Sequence, residues 1–168
     1  YAGEGSDELV ASTEDRLFGG AGNDTLEASI GRGNNRLYAD AGNDDLIAGY
    51  EDRLFGGDGN DRLFLSEGQF EGGGNNTVTG GAGEDQFWLA NAQLPGAANT
   101  ITDFSAGEDV LGIAGLDLAF ADLSIGASEE NADNTVIATA NQDLAILTGV
   151  QADSLTESNF VFENSAVS

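Results

Sequence analysis

Over its first 88 residues the chain repeats one short pattern, a polar, glycine-rich turn followed by a single large apolar residue between polar or variable neighbours. The apolar positions are Leu9, Leu17, Leu26, Leu37, Leu46, Leu54, Leu63, Val78 and Phe87. One inward residue flanked by two outward ones is the pattern of a three-residue strand, because successive side chains on a strand point to opposite faces. After residue 88 the pattern becomes irregular. Residues 91–99 hold the only proline, Pro95, and read as a connecting loop. Residues 135–140 and 144–150 are rich in β-formers and predict a hairpin, and 154–162 predicts a terminal strand.

The turns follow a formula, G-G-x-G-x-D-x-U-x with U large and apolar. Three copies are complete, GGAGNDTLE (19–27), GGDGNDRLF (56–64) and GGAGEDQFW (80–88), while AGEGSDELV (2–10) and ADAGNDDLI (39–47) lack one or both leading glycines. Glycine allows the tight turn with positive φ, and the sixth residue supplies a carboxylate. On these motifs the chain resembles the RTX (repeats-in-toxin) nonapeptide proteins. The resemblance implies an all-β fold, a right-handed parallel β-roll of about 1–88 with Ca²⁺ in its loops. A connecting loop at 89–98 and an antiparallel β cap at 99–168 would close its open end.

In such rolls two nonapeptides make one coil, so alternate repeats stack on the same edge. The odd repeats place Asp7, Asp24, Asp44, Asp61 and Asp85 on one edge. The even repeats are poorer. ASTEDRLF (11–18) and AGYEDRLF (48–55) lack the glycine pair, and IGRGNNRLY (30–38) and EGGGNNTVT (71–79) carry Asn35 and Asn76 at the acid position. Together these form a supercycle in which EDRLFGGAGNDTLE (14–27) returns as EDRLFGGDGNDRLF (51–64), 37 residues on. The expectation is one well-filled ladder of about four ions, in the four gaps between five stacked turns, and a second ladder that is weak or empty.

The family's ligand scheme, two acids plus backbone carbonyls of loop positions two and four on one turn and one and three on the next, carries over by resemblance. It implies Gly3, Gly5 and Asp7 with Gly19, Ala21 and Asp24, then Gly20, Gly22 and Asp24 with Ala39, Ala41 and Asp44. The third gap would take Asp40, Gly42 and Asp44 with Gly56, Asp58 and Asp61, and the fourth Gly57, Gly59 and Asp61 with Gly80, Ala82 and Asp85. Oxygen-only ligands suit Ca²⁺ over Mg²⁺ or zinc. The segment 99–116 resembles the stretch after the last repeat in serralysin-type proteases and alginate epimerase R-modules, where an acid matching Asp103 helps hold a further ion. In this family the far C-terminus also carries a type I secretion signal, with which 160–162 and its small polar tail are compatible.

Composition narrows the partners. Thirty acidic residues face five arginines and no lysine, a formal charge of −25. That argues against nucleic acid and anionic membranes and favours multivalent cations. The absence of cysteine and histidine removes thiol and imidazole catalysis, zinc clusters and disulfides. No apolar stretch predicts membrane insertion. Repeat-positioned acids are committed to metal or solvent, so no enzymatic activity is expected. The resemblance implies a secreted or cell-surface location, folding on Ca²⁺ outside the cell, and a larger exoprotein whose N-terminal part is missing.

A second candidate surface lies outward on the even strands, where Arg16, Arg36 and Arg53 would align in one column and Phe18, Tyr38 and Phe55 in the next. Such a face could grip a polysaccharide, a cell surface or another copy of the chain, with guanidinium and aromatic contacts. The alternative is that it packs under a partner or the C-terminal segment. On the odd strands, Val10, Glu27, Ile47, Phe64 and Trp88 form a less regular set expected to be capped locally, with Trp88 in the core.

Overall fold

The computed structural model describes residues 1–66 and 73–167; the first two residues of the 71–79 repeat therefore lie outside the described residues. Two sheets run face to face along the coil axis. One contains β1 (Gly3–Glu4), β3 (Arg16–Ala21), β5 (Arg36–Ala41), β7 (Arg53–Asp58), β9 (Thr77–Ala82) and β11 (Asn99–Ile101), then β15 (Asp143–Leu147), β14 (Thr135–Ala138) and β13 (Ser124–Ala127). The other contains β2 (Glu8–Val10), β4 (Thr25–Glu27), β6 (Asp45–Ile47), β8 (Arg62–Phe64), β10 (Gln86–Asn91), β12 (Val110–Ala114) and β16 (Phe160–Glu163). Consecutive strands alternate between the sheets up to β12, as a parallel roll requires.

In-register parallel pairing turns the single apolar residue of each repeat into a continuous column. On one sheet Leu17, Leu37, Leu54, Val78, Ile101 and Leu147 are neighbours in turn. On the other the column runs Leu9, Leu26, Leu46, Leu63, Phe87, Leu111 and Phe160. All are buried except Leu9, at the uncovered first coil. The interior of the roll is thus one side chain wide on each wall.

The change of pattern at residue 88 does not coincide with the end of the parallel sheets. Leu89–Asn91 belong to β10, and β11, β12, β15 and β16 all continue parallel pairing. The antiparallel part is β13–β14–β15, where the expected hairpin forms. The terminal strand β16 does not fold over the aromatic column of the even strands; it pairs with β12 on the opposite sheet. There Phe64 and Trp88 are buried beside Ile47, Val161 and Val167, and Asn91 clamps the tail through Val167 N–H and C=O, each at 2.8 Å.

Candidate metal sites

The two edges of the roll are built on the same scaffold and end in opposite states. On the odd edge each aspartate accepts, through Oδ1, the backbone N–H of the aspartate one turn earlier. The chain of bonds runs Asp7 to Asp24 (2.8 Å), Asp24 to Asp44 (2.6 Å), Asp44 to Asp61 (2.8 Å) and Asp61 to Asp85 (2.9 Å). The second oxygen, Oδ2, of Asp24, Asp44 and Asp61 is buried and has no hydrogen-bond partner among the described residues. A buried carboxylate oxygen left unpaired is costly, and a cation is what such an oxygen lacks.

The glycines make room for this arrangement. A Cβ at Gly19, Gly56 or Gly80 would run into Oδ2 of Asp24, Asp61 or Asp85. The carbonyls of Gly3, Asp40 and Gly57 at loop position two, and of Gly5, Gly22, Gly42 and Gly59 at position four, lean against the next turn. Position-one carbonyls of Ala39 and Gly80 lean back toward Gly19 and Gly56. Position-three carbonyls of Ala21, Ala41, Asp58 and Ala82 accept position-four N–H groups of the preceding turn at 2.7–2.9 Å. Carbonyls and one carboxylate per turn thus line each gap, and no three acidic side chains converge among the described residues. Asp40 takes φ +78°, a left-handed value at the position where Gly20 and Gly57 meet the same demand without a side-chain penalty.

Stacked acids in a dry setting resist ionisation. Burial, reinforced by the charges of Asp85, Asp44 and Asp45, pushes Asp61 up to about 7, and burial with Asp109 and Asp103 nearby pushes Asp85 up to about 6. Asp44 is raised for the same reason, burial first and the Asp24 charge among the rest.

On the even edge the ladder is Asp15, Asn35, Asp52, Asn76 and Asn99, linked by the same backbone bonds at 2.8–3.1 Å. Here N–H donors from side-chain amides and from the backbone do what a cation would do. Asn35 Nδ2 donates to Asp52 Oδ1 (3.0 Å), and Asn76 Nδ2 donates to Asn99 Oδ1 (2.9 Å) and the Gly49 carbonyl (3.1 Å). Asp52 Oδ2 accepts Gly49 N–H and Asp15 Oδ2 accepts Ser12 N–H. One column outward, Asn34 and Asn75 both donate to Glu51. The 37-residue supercycle is this alternation of acidic ED turns with NN turns, which keeps carboxylates off adjacent rungs.

Two members of these ladders lie outside the nonapeptide pattern and are missed by it. Asp109 extends the odd edge by a sixth rung, accepting Asp85 N–H (3.0 Å) and Ser105 N–H (2.8 Å). A signal for it exists, since AGED at 106–109 repeats AGED at 82–85. Asn99 extends the even edge. Asp103 is exposed and grips the last complete loop through the N–H groups of Gly80 (3.0 Å) and Gly81 (2.9 Å).

The outer face of the even strands has the expected columns. Arg16, Arg36 and Arg53 are in register, as are Phe18, Tyr38 and Phe55. The rings stack on one another and on Tyr1, with centroids 4.3–4.9 Å apart and planes within 9°. Both faces of Phe18 and Tyr38 are therefore occupied within the column, whereas Tyr1 at its open end is 93% exposed and Phe55 is stacked on one side only among the described residues.

Fold and site together define a parallel β-roll of glycine-aspartate turns with one carboxylate edge, the architecture of a calcium-binding repeat protein. The chain belongs to the RTX calcium-binding nonapeptide repeat family, whose model matches in four copies at residues 1–32, 31–49, 49–69 and 72–91. No curated protein matches it. Among solved structures it is similar to the AlgE6R3 subunit of the Azotobacter vinelandii mannuronan C5-epimerase, at 23% identity and TM-score 0.38, covering 94% of this chain and 78% of that one. The AlgE6R2 subunit of the same enzyme gives 22% and 0.39, covering 95% and 94%. Extracellular lipase LipA from Serratia marcescens gives 24% and 0.32, covering 95% of this chain and 20% of the lipase.

Proposed function

We propose that this is a non-catalytic module that folds on binding Ca²⁺ outside the cell and thereby supports type I secretion and stability of a larger exoprotein. About four ions would sit along the odd edge, one in each gap from Asp7 to Asp85. The observation that carries this reading is the contrast between edges: buried Oδ2 atoms on Asp24, Asp44 and Asp61 with no partner among the described residues, against an even edge whose Oδ2 atoms take the Ser12 and Gly49 N–H groups and whose Oδ1 atoms take asparagine amides.

Bound there, Ca²⁺ supplies the positive charge and oxygen coordination that the gaps lack. Each turn contributes an aspartate, with carbonyls of positions two and four toward the next gap (Gly20 and Gly22, for example) and of positions one and three toward the previous one (Gly56 and Asp58). In the folded roll the backbone bonds from Asp N–H to the next Asp Oδ1 keep the carboxylates in line along the gaps. Each site held at Ca²⁺ about 10 to 100 times its Kd adds roughly 1.4 to 2.7 kcal/mol to the folded state.

Far-ultraviolet circular dichroism with calcium calorimetry tests this. The expected result is a largely unordered chain in chelator that gains β structure with about four ions. A spectrum unchanged by chelator overturns it. The alternative, a polysaccharide-binding face, is weakened by the stacking that covers both faces of Phe18 and Tyr38 and leaves a sugar mainly ring edges, the end rings and the guanidiniums.

A further inference from the structure

The outer face of the nine-stranded sheet changes chemistry from one end to the other. Following the register outward from β3, one column reads Arg16, Arg36, Arg53, Thr77, Thr100, Ile146, Val136 and Gly126. Three strands of arginine are followed by two of threonine and three that are apolar or glycine. Among the described residues none of these three guanidiniums forms an ion pair with a carboxylate, although acids outnumber bases six to one in the chain (30 to 5).

At the far end β13, β14 and β15 floor an open groove of about 460 Å³, with Gly126, Val136 and Ile146 on its base and the exposed Glu129, Glu130 and Asp143 on its rim. Three unpaired cations at one end thus match three exposed carboxylates at the other. The spacing is symmetric. Counting strands, the midpoint between the arginine strands (β3, β5, β7) and the groove strands (β15, β14, β13) falls between β9 and β11. The residues there are uncharged and small: Thr77, Thr79, Thr100 and Thr102, with the Thr79 and Thr102 hydroxyls bonded to each other at 2.8 Å.

We propose that this face is a self-complementary interface for a second copy of the chain, related by a two-fold axis between β9 and β11. The axis exchanges β7 with β15, β5 with β14 and β3 with β13. Each copy's arginine column then lies over the other's acidic groove, about 24 Å from its own at about 4.8 Å per strand. The threonines at the axis let the sheets approach without a like-charge contact. Charge complementarity also explains why three of the chain's five arginines lie on this one face while the acids crowd the edges and loops.

Sedimentation velocity in saturating Ca²⁺ at low and high ionic strength tests the interface, with circular dichroism in the same buffer to establish that each variant is folded. A failure to fold with Ca²⁺ would count against the calcium reading; a folded monomer counts against this one. The expected result is a concentration-dependent dimer weakened by salt. Arg36→Glu, or Glu129→Arg with Glu130→Arg in the exposed loop, should each weaken association about tenfold or more, and combining them should restore most of it. A folded chain that stays monomeric, one that binds an acidic polysaccharide as a monomer, or a dimer indifferent to both reversals overturns the proposal.

Discussion

Asp52 and Asp61 are both nearly inaccessible to solvent, yet they occupy opposite situations. Asp52 has every carboxylate oxygen matched by a donor from Asn35 or Gly49, whereas Asp61 has one oxygen without a donor among the described residues. The donor that makes the difference at Oδ2 is the Gly49 N–H, and Asn35 Nδ2 adds a second donor at Oδ1, where a carboxylate in its place could only accept. Asn35→Asp in saturating Ca²⁺ should therefore cost about 1 to 3 kcal/mol, by replacing a donor to Asp52 with a second acceptor. Urea unfolding measures it, and a gain in stability would mean that the even edge takes up cations of its own. The glycines differ in the same residue-specific way. Gly56→Ala drives a methyl into Asp61 Oδ2 and should lower calcium affinity and stability together. Gly3→Ala meets nothing within 4 Å and should change neither appreciably.

At the scale of elements, each strand is too short to stand alone and owes its position to the turns beside it. β12 shows the dependence most directly. It carries no nonapeptide glycines, but Asp109 at its start accepts Asp85 and Ser105 N–H groups and so keeps the strand in step with β10. Asp109→Ala leaves two backbone donors without their acceptor. It should cost about 1 to 3 kcal/mol and raise amide exchange in β12 and β16 well before β4 and β6. Uniform exchange across the second sheet would show instead that β12 is held by Leu111 and Ile113 alone.

For the whole molecule, the stacked acids couple folding to pH in a direction opposite to most carboxylate-stabilised proteins. In the metal-free fold Asp61 titrates at about 7 against an ordinary value of 3.8, and Asp85 at about 6. The folded chain then binds more protons than the unfolded one across that interval. The associated stability is present below about 4 and is lost as pH rises through about 7. Chelator-treated protein should accordingly show more β structure near pH 5 than near pH 7.5, while Ca²⁺, competing with those protons, binds more tightly as pH rises. Circular dichroism against pH, with and without Ca²⁺, reads both trends. A metal-free chain that gains structure on going alkaline would contradict the raised values.

Whatever recurs locally was legible in the residues themselves: the strand centres from Leu9 to Phe87, the turns, and the single-sided run of aspartates from Asp7 to Asp85. Each nonapeptide carries its own glycines, acid and apolar residue, so its role can be read without knowing its neighbours. What neighbouring turns do to one another emerged only from the wound chain. The amide and carboxylate of Asn35 and Asp52 meet across 17 residues, Asp109 aligns with Asp85 across 24, and the rings of Phe18 and Tyr38 cover each other's faces. Winding also placed β16 in the sheet of β12 rather than over the aromatic column. Those outcomes depend on which strands become adjacent, and adjacency is a property of the coiled whole, absent from any one repeat.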